Sequence, residues 1–195
     1  EWVYEIESGL RAGARFWGTS APGSKPIPAF ISSEPAFIEE ALAKAGIKQS
    51  IDSRDRNRNA RGGQAGFHGG QIPYWDFLFK DPSTRTNVGY FQVGPHEYTH
   101  YAQSQLVNSG SWNEAGPWFN EGLASFIGSA LGPMIKMPHN QMDDWRGNMS
   151  PNMSTPLAFF NESNASVYRS SEWGNVYPLG ALATQAVVAL VGVDA

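Results

Sequence analysis

His96-Glu97-Tyr98-Thr99-His100 reads H-E-x-x-H. On a helix, residues four apart lie on one face, a turn above each other. Both imidazoles can then bind one metal ion, and Glu97 lies where it can reach a water at that ion. Gly94-Pro95 precedes the motif, and proline is well tolerated at the first helical position. The motif helix is therefore expected from about Pro95 to Val107. A catalytic zinc site takes three protein ligands and leaves its fourth position open, so a third ligand must come from elsewhere in the chain.

The 195 residues fit one domain, or two small lobes sharing a core. Hydrophobic residues make up 41% and aromatics 13%, enough to build that core. Charged residues are only 16%, and 21 Gly with 13 Pro point to long loops. A net charge of −4 gives no reason to expect a nucleic-acid partner. There is no Cys, which excludes disulfides and thiolate metal sites. No apolar run is long enough for a membrane-spanning segment. The chain starts at Glu1 and stops at Asp194-Ala195 directly after an apolar run. It reads as a piece of a longer protein.

Outward from the motif, apolar residues at helical period predict a helix over Trp2–Trp17. A short strand is expected at Ile27–Ile31. Ser32 or Ser33 can cap a helix over Pro35–Ala45 that stops at Gly46. Asp52–Gly70, rich in Gly and Arg, reads as a loop. Pro73–Lys80 and Asn87–Val93 carry strand-like patterns, with a turn signal at Asp81-Pro82-Ser83 between them. The strand at 87–93 is placed to offer an edge to an extended peptide. Further helices are expected over Trp118–Leu131 and Tyr177–Val191, separated by an irregular Met/Asn-rich stretch. The order points to an α+β fold: a small mixed sheet with the site helix over about 1–110, then a mainly helical lobe over about 111–195.

Trp118-Phe119-Asn120-Glu121-Gly122-Leu123-Ala124-Ser125 is the second informative stretch. Twenty residues separate His100 from Glu121. That allows a loop and the return of a second helix, on which Glu121 can face the two histidines. Two His and one Glu form a known catalytic zinc ligand set. If Glu121 is not the third ligand, Glu114 and Glu162 are the next candidates.

These two motifs together resemble the gluzincin metallopeptidases. The second is similar to the Trp-x-Asn-Glu-Gly-x-Ala signature of aminopeptidase N-like enzymes. The first resembles bacterial collagenases and other peptidase MA-like domains. The matching positions, 96 to 126, cover about a sixth of the chain. The resemblance implies a zincin-like fold, one zinc per chain held by His96, His100 and Glu121, and Glu97 as general base. It also implies a Tyr or His downstream that stabilises the oxyanion; Tyr177 is the candidate and Tyr168 its competitor. Ser125 or Asn120 would orient a ligand; thermolysin-like enzymes carry Asp where Ser125 stands. The implied substrate is a peptide or protein, and the usual setting of such enzymes is extracytoplasmic or secreted.

The upstream Gly-x-Met-Glu-Asn motif by which aminopeptidases hold a free amino group is missing, so exopeptidase and endopeptidase both stay open. Two other readings compete: a catalytically silent zinc-binding domain with a binding or scaffolding role, and a hydrolase of a non-peptide amide. His68 and His139 read as loop histidines, and Trp118 and Phe119 as core. The Asn-x-Ser tripeptides at Asn148, Asn152, Asn161 and Asn164 read as ordinary loop sequence.

Overall fold

The computed structural model describes residues 2–18, 27–47, 62–68, 72–78, 89–106, 116–132, 142 and 173–192. Among these are five helices and three strands, in chain order α1 (Trp2–Trp17), β1 (Ala29–Ser32), α2 (Pro35–Lys44), β2 (Gly62–His68), β3 (Ile72–Leu78), α3 (Gly89–Leu106), α4 (Pro117–Leu131) and α5 (Trp173–Val191). The class is α+β. The sheet is small and mixed, in the order β1-β3-β2. The central strand β3 runs parallel to β1, with Ala29 opposite Trp75. It runs antiparallel to β2, with Gly62 opposite Leu78. No helix among the described residues is long and apolar enough to cross a membrane.

Alternation along β3 sends its side chains to two different cores. Trp75 and Phe77 join Ile6 of α1 with Tyr98 and Tyr101 of α3. Tyr74 and Leu78 join Ile38 and Leu42 of α2, together with Ile47. All five residues from Tyr74 to Leu78 are buried. This is why the segment reads as a near-continuous apolar run. The motif helix α3 therefore rests on the sheet through Tyr98 and Tyr101, whose rings pack against Trp75 with centroids 6.0 and 6.1 Å away.

Helix α1 crosses the same helix closely. A Cβ built on Gly94 would meet the backbone of Gly9 at 2.8 Å, so only glycine lets the two backbones approach. Trp17 Nε1 donates to Thr99 Oγ1 (3.2 Å), and Thr99 in turn donates to the Pro95 carbonyl (2.9 Å). The two residues between the ends of the H-E-x-x-H motif that are not acidic thus anchor α3: Tyr98 to the sheet, Thr99 to α1.

Several sequence expectations are corrected. Of the strand expected at Asn87–Val93, residues 89–93 are helical: α3 begins at Gly89 and carries Pro95 in its interior rather than at its start. Asp52–Gly70 is not loop throughout, since Gly62–His68 forms β2, and His68 is the final residue of that strand. Residues 89–93 therefore offer no strand edge; the outer strands of the described sheet are β1 and β2. Helix α5 starts four residues before Tyr177 and runs through Pro178. Helix α2 has Glu34 at its N-cap and no side-chain cap bond; Ser32 Oγ instead accepts from the Glu34 N–H at 2.9 Å. Gly46 does end that helix, at φ 74°. Phe119 is exposed at 37% rather than in the core, with the half-buried Trp118 ring edge-on to it. The turn at 81–83, Glu114, His139, the four Asn-x-Ser sites, Glu162 and Tyr168 lie outside the described residues.

Candidate metal centre

Helices α3 and α4 build the site. Small residues on α4 let it lie close to α3. A Cβ on Gly128 would come within 2.7 Å of the Gln92 carbonyl and 3.3 Å of His96 Cβ. Beside it, Ser129 Oγ donates to Gln92 Oε1 (3.2 Å), and Ser125 Oγ lies 3.4 Å from His96 Nδ1. This contact places Glu121, two turns before Gly128, against the two histidines.

The three side chains converge. His96 Nε2 and His100 Nε2 are 3.1 Å apart, and Glu121 Oε2 lies 3.3 Å from the first and 3.2 Å from the second. Ligands at about 2.0–2.1 Å from a tetrahedral zinc ion stand about 3.3–3.4 Å from one another. The donor triangle, 3.1–3.3 Å on a side, is slightly tighter than this, and the donor set of two imidazoles and a carboxylate suits zinc chemistry. Among the described residues these are the three His and acidic side chains grouped so as to hold a metal ion. Glu97 is 5% exposed, with Oε1 4.0 Å from His96 Nε2, at the rim of the triangle.

The electrostatics follow from this crowding. Burial alone pulls the His100 imidazolium down, but the Glu121 carboxylate and its hydrogen bond outweigh that, and Glu97 adds to them, so His100 is pushed up to about 9. For Glu121, burial pushes upward, yet the charges and hydrogen bonds of His100 and His96 hold its carboxyl well below the usual carboxylate range. Without a metal the triangle is thus a buried ion pair. A cation at its centre would take the place of the imidazolium proton.

Helix α5 brings in Tyr177, whose ring centroid is 6.0 Å from that of His96. The approach depends on glycine twice. A Cβ on Gly122 would meet the Gly180 backbone at 2.3 Å, and one on Gly180 would meet the Trp118 carbonyl at 2.1 Å. Gly122 follows Glu121, and Gly180 lies one turn after Tyr177, so this crossing sets both beside His96. Ser125 stands next to His96, its Oγ 3.4 Å from Nδ1. Asn120 takes part through its backbone: its carbonyl accepts from Gln103 Nε2 (3.1 Å), while Gln103 Oε1 lies 2.9 Å from His100 Nδ1. Gln103 was not among the expected site residues. Its position three after His100, on the same helical face, is the one sequence signal for it.

Compared with family models, with curated proteins and with solved structures, the chain matches none. What the site does must therefore be read from its geometry.

Proposed function

We propose that the chain is a zinc-dependent metallopeptidase of the gluzincin type and zincin-like fold, cleaving peptide or protein substrates with Glu97 as general base. The observation that carries this reading is the triangle of His96, His100 and Glu121 donors, 3.1–3.3 Å on a side, with the Glu97 carboxylate at its rim. When bound there, zinc supplies a Lewis acid that polarises a carbonyl and lowers the pKa of water. Glu97 takes the proton from the attacking water and delivers it to the leaving amine. Tyr177, whose ring lies beside that of His96, would donate a hydrogen bond from its hydroxyl to the oxygen that gains negative charge. A module that only held zinc would have no use for a carboxylate at Glu97, which favours the catalytic reading over the scaffolding one.

The test combines elemental analysis with a fluorogenic peptide panel. Wild type is expected to carry about one zinc per chain. Glu97→Gln should keep that zinc and lose roughly 10²–10⁴ in turnover, the contribution usual for a general base. Cleavage that survives Glu97→Gln would refute the mechanism. Zinc bound by a wild type that cleaves nothing would favour the scaffolding role.

A further inference from the structure

Gln103 sits behind His100, on the side of the ring away from Glu121, and touches two helices at once. Its Oε1 is 2.9 Å from His100 Nδ1, and its Nε2 donates to the Asn120 carbonyl at 3.1 Å. Both Gln103 and His100 are buried. A carbonyl has no proton to give, so the Asn120 oxygen demands the amide N–H₂ of Gln103. The amide cannot be turned over without setting its oxygen against that of Asn120. Its Oε1 must therefore face His100, and an amide oxygen can only accept. His100 Nδ1 must then carry a proton, which leaves Nε2 as the lone-pair nitrogen whenever the ring is neutral. Nε2 is the atom that faces Glu121 and His96.

Glu121 pulls the other way. Its carboxylate would hold a proton on His100 Nε2, the tautomer that cannot bind a metal through that nitrogen. Gln103 opposes this from the far side of the ring. Because its second bond ends on Asn120, the residue before Glu121, the same side chain also ties the ring's orientation to the helix that carries the third donor.

We propose that Gln103 is a positioning residue of the metal site: it fixes His100 with Nδ1 protonated and Nε2 turned to the other two donors. This rests on the metal reading of the site. The chemistry needed from residue 103 is a hydrogen-bond acceptor, so its loss and its conservative replacement should differ. Gln103→Met keeps the side chain's length and apolar stem but removes the amide. Gln103→Glu keeps an acceptor toward His100, but its second oxygen takes the place of the amide N–H₂ beside the Asn120 carbonyl, so that bond survives only where the carboxyl is protonated.

The experiment measures zinc affinity by chelator competition for wild type and both variants. It also follows solvent exchange of the His100 Nδ1 proton by ¹⁵N-resolved NMR of the zinc-loaded wild type. Gln103→Met is expected to bind zinc about 10- to 100-fold more weakly, the usual loss when the outer partner of a ligating histidine is removed. Gln103→Glu should stay within a few-fold of wild type, and the wild-type Nδ1 proton should be protected from exchange. Equal zinc affinity in wild type and Gln103→Met overturns the proposal and leaves the metal site standing. So does equal weakening in both variants, since an acceptor kept toward His100 would then not preserve the site. If Gln103→Met does not fold, an Nδ1 proton in wild type that exchanges freely overturns it by itself. No zinc in wild type overturns the metal reading, and this proposal with it.

Discussion

Glu121 faces both imidazoles at once, its Oε2 3.3 Å from His96 Nε2 and 3.2 Å from His100 Nε2. Replacing it by alanine removes one donor and also the charge that compensates the two histidines. Glu121→Ala should therefore weaken zinc binding by more than the roughly 10- to 100-fold attached to an outer-shell partner. Elemental analysis after dialysis should find the variant largely empty; full retention would move the third donor elsewhere. Tyr177→Phe tests a different property, since it keeps the ring beside His96 and removes only the hydroxyl. It should leave zinc content unchanged and lower turnover by roughly 10²–10³, as removal of an oxyanion donor does. Unchanged turnover would make Tyr177 a packing residue. At this scale the sequence was informative where the rule is local. The i, i+4 spacing sets His96 and His100 on one face whatever surrounds them, and Glu97 follows from the same turn. Gln103 was hidden because its role depends on the Asn120 carbonyl, seventeen positions away on another helix.

Helix α3 shows where local pattern loses to packing. Val88, Tyr90, Phe91 and Val93 have the residue types of a strand, and Pro95 ordinarily opens a helix rather than interrupting one. Yet Val93 packs onto the Ile6 and Trp75 core, and Gln92 bonds to Ser129 on α4. Both contacts are made with 89–94 continuing the motif helix. Gly94 eases the arrangement, because the clash that disfavours helical backbone before proline involves the Cβ that glycine lacks. The β2 strand escaped notice for the opposite reason: Gly62, Gly63 and Gly66 offer no apolar alternation to read. Gly128 is the element-scale counterpart of the ligands, since it sets the α3–α4 distance. Gly128→Ala gains about 1 kcal/mol in helix propensity. It also drives a methyl to 2.7 Å from the Gln92 carbonyl, a backbone atom that cannot swing aside. Overpacking of this kind costs about 1–3 kcal/mol, so the net effect is destabilising. The variant should melt at lower temperature and bind zinc more weakly, because the shift falls beside His96. Wild-type values for both would show that α4 carries Glu121 independently of this contact.

Across the whole molecule, the site couples folding to pH and to metal. In the metal-free protein His100 is pushed up to about 9 from 6.5, so its share of stability is complete below 6.5 and is lost as pH rises towards 9. Glu121 is held below its ordinary value of 4.5, so its share is present above 4.5 and is lost as pH falls through the depressed folded value. Between these limits both contributions are whole, and the metal-free melting temperature should be highest at about pH 4.5–6.5. Zinc has the opposite dependence, because it must displace the His100 proton, and that becomes easier as pH rises. Its stabilisation grows with affinity at fixed concentration. The increment in melting temperature on adding zinc should therefore widen from about pH 6 to about pH 9, while the chelated protein loses stability over the same range. Thermal scans with chelator and with zinc read both curves in one series. A chelated protein equally stable at both ends of that range would mean that His100 and Glu121 do not form the buried pair. A zinc increment that did not widen would mean that the metal binds without displacing that proton, and so not at His100.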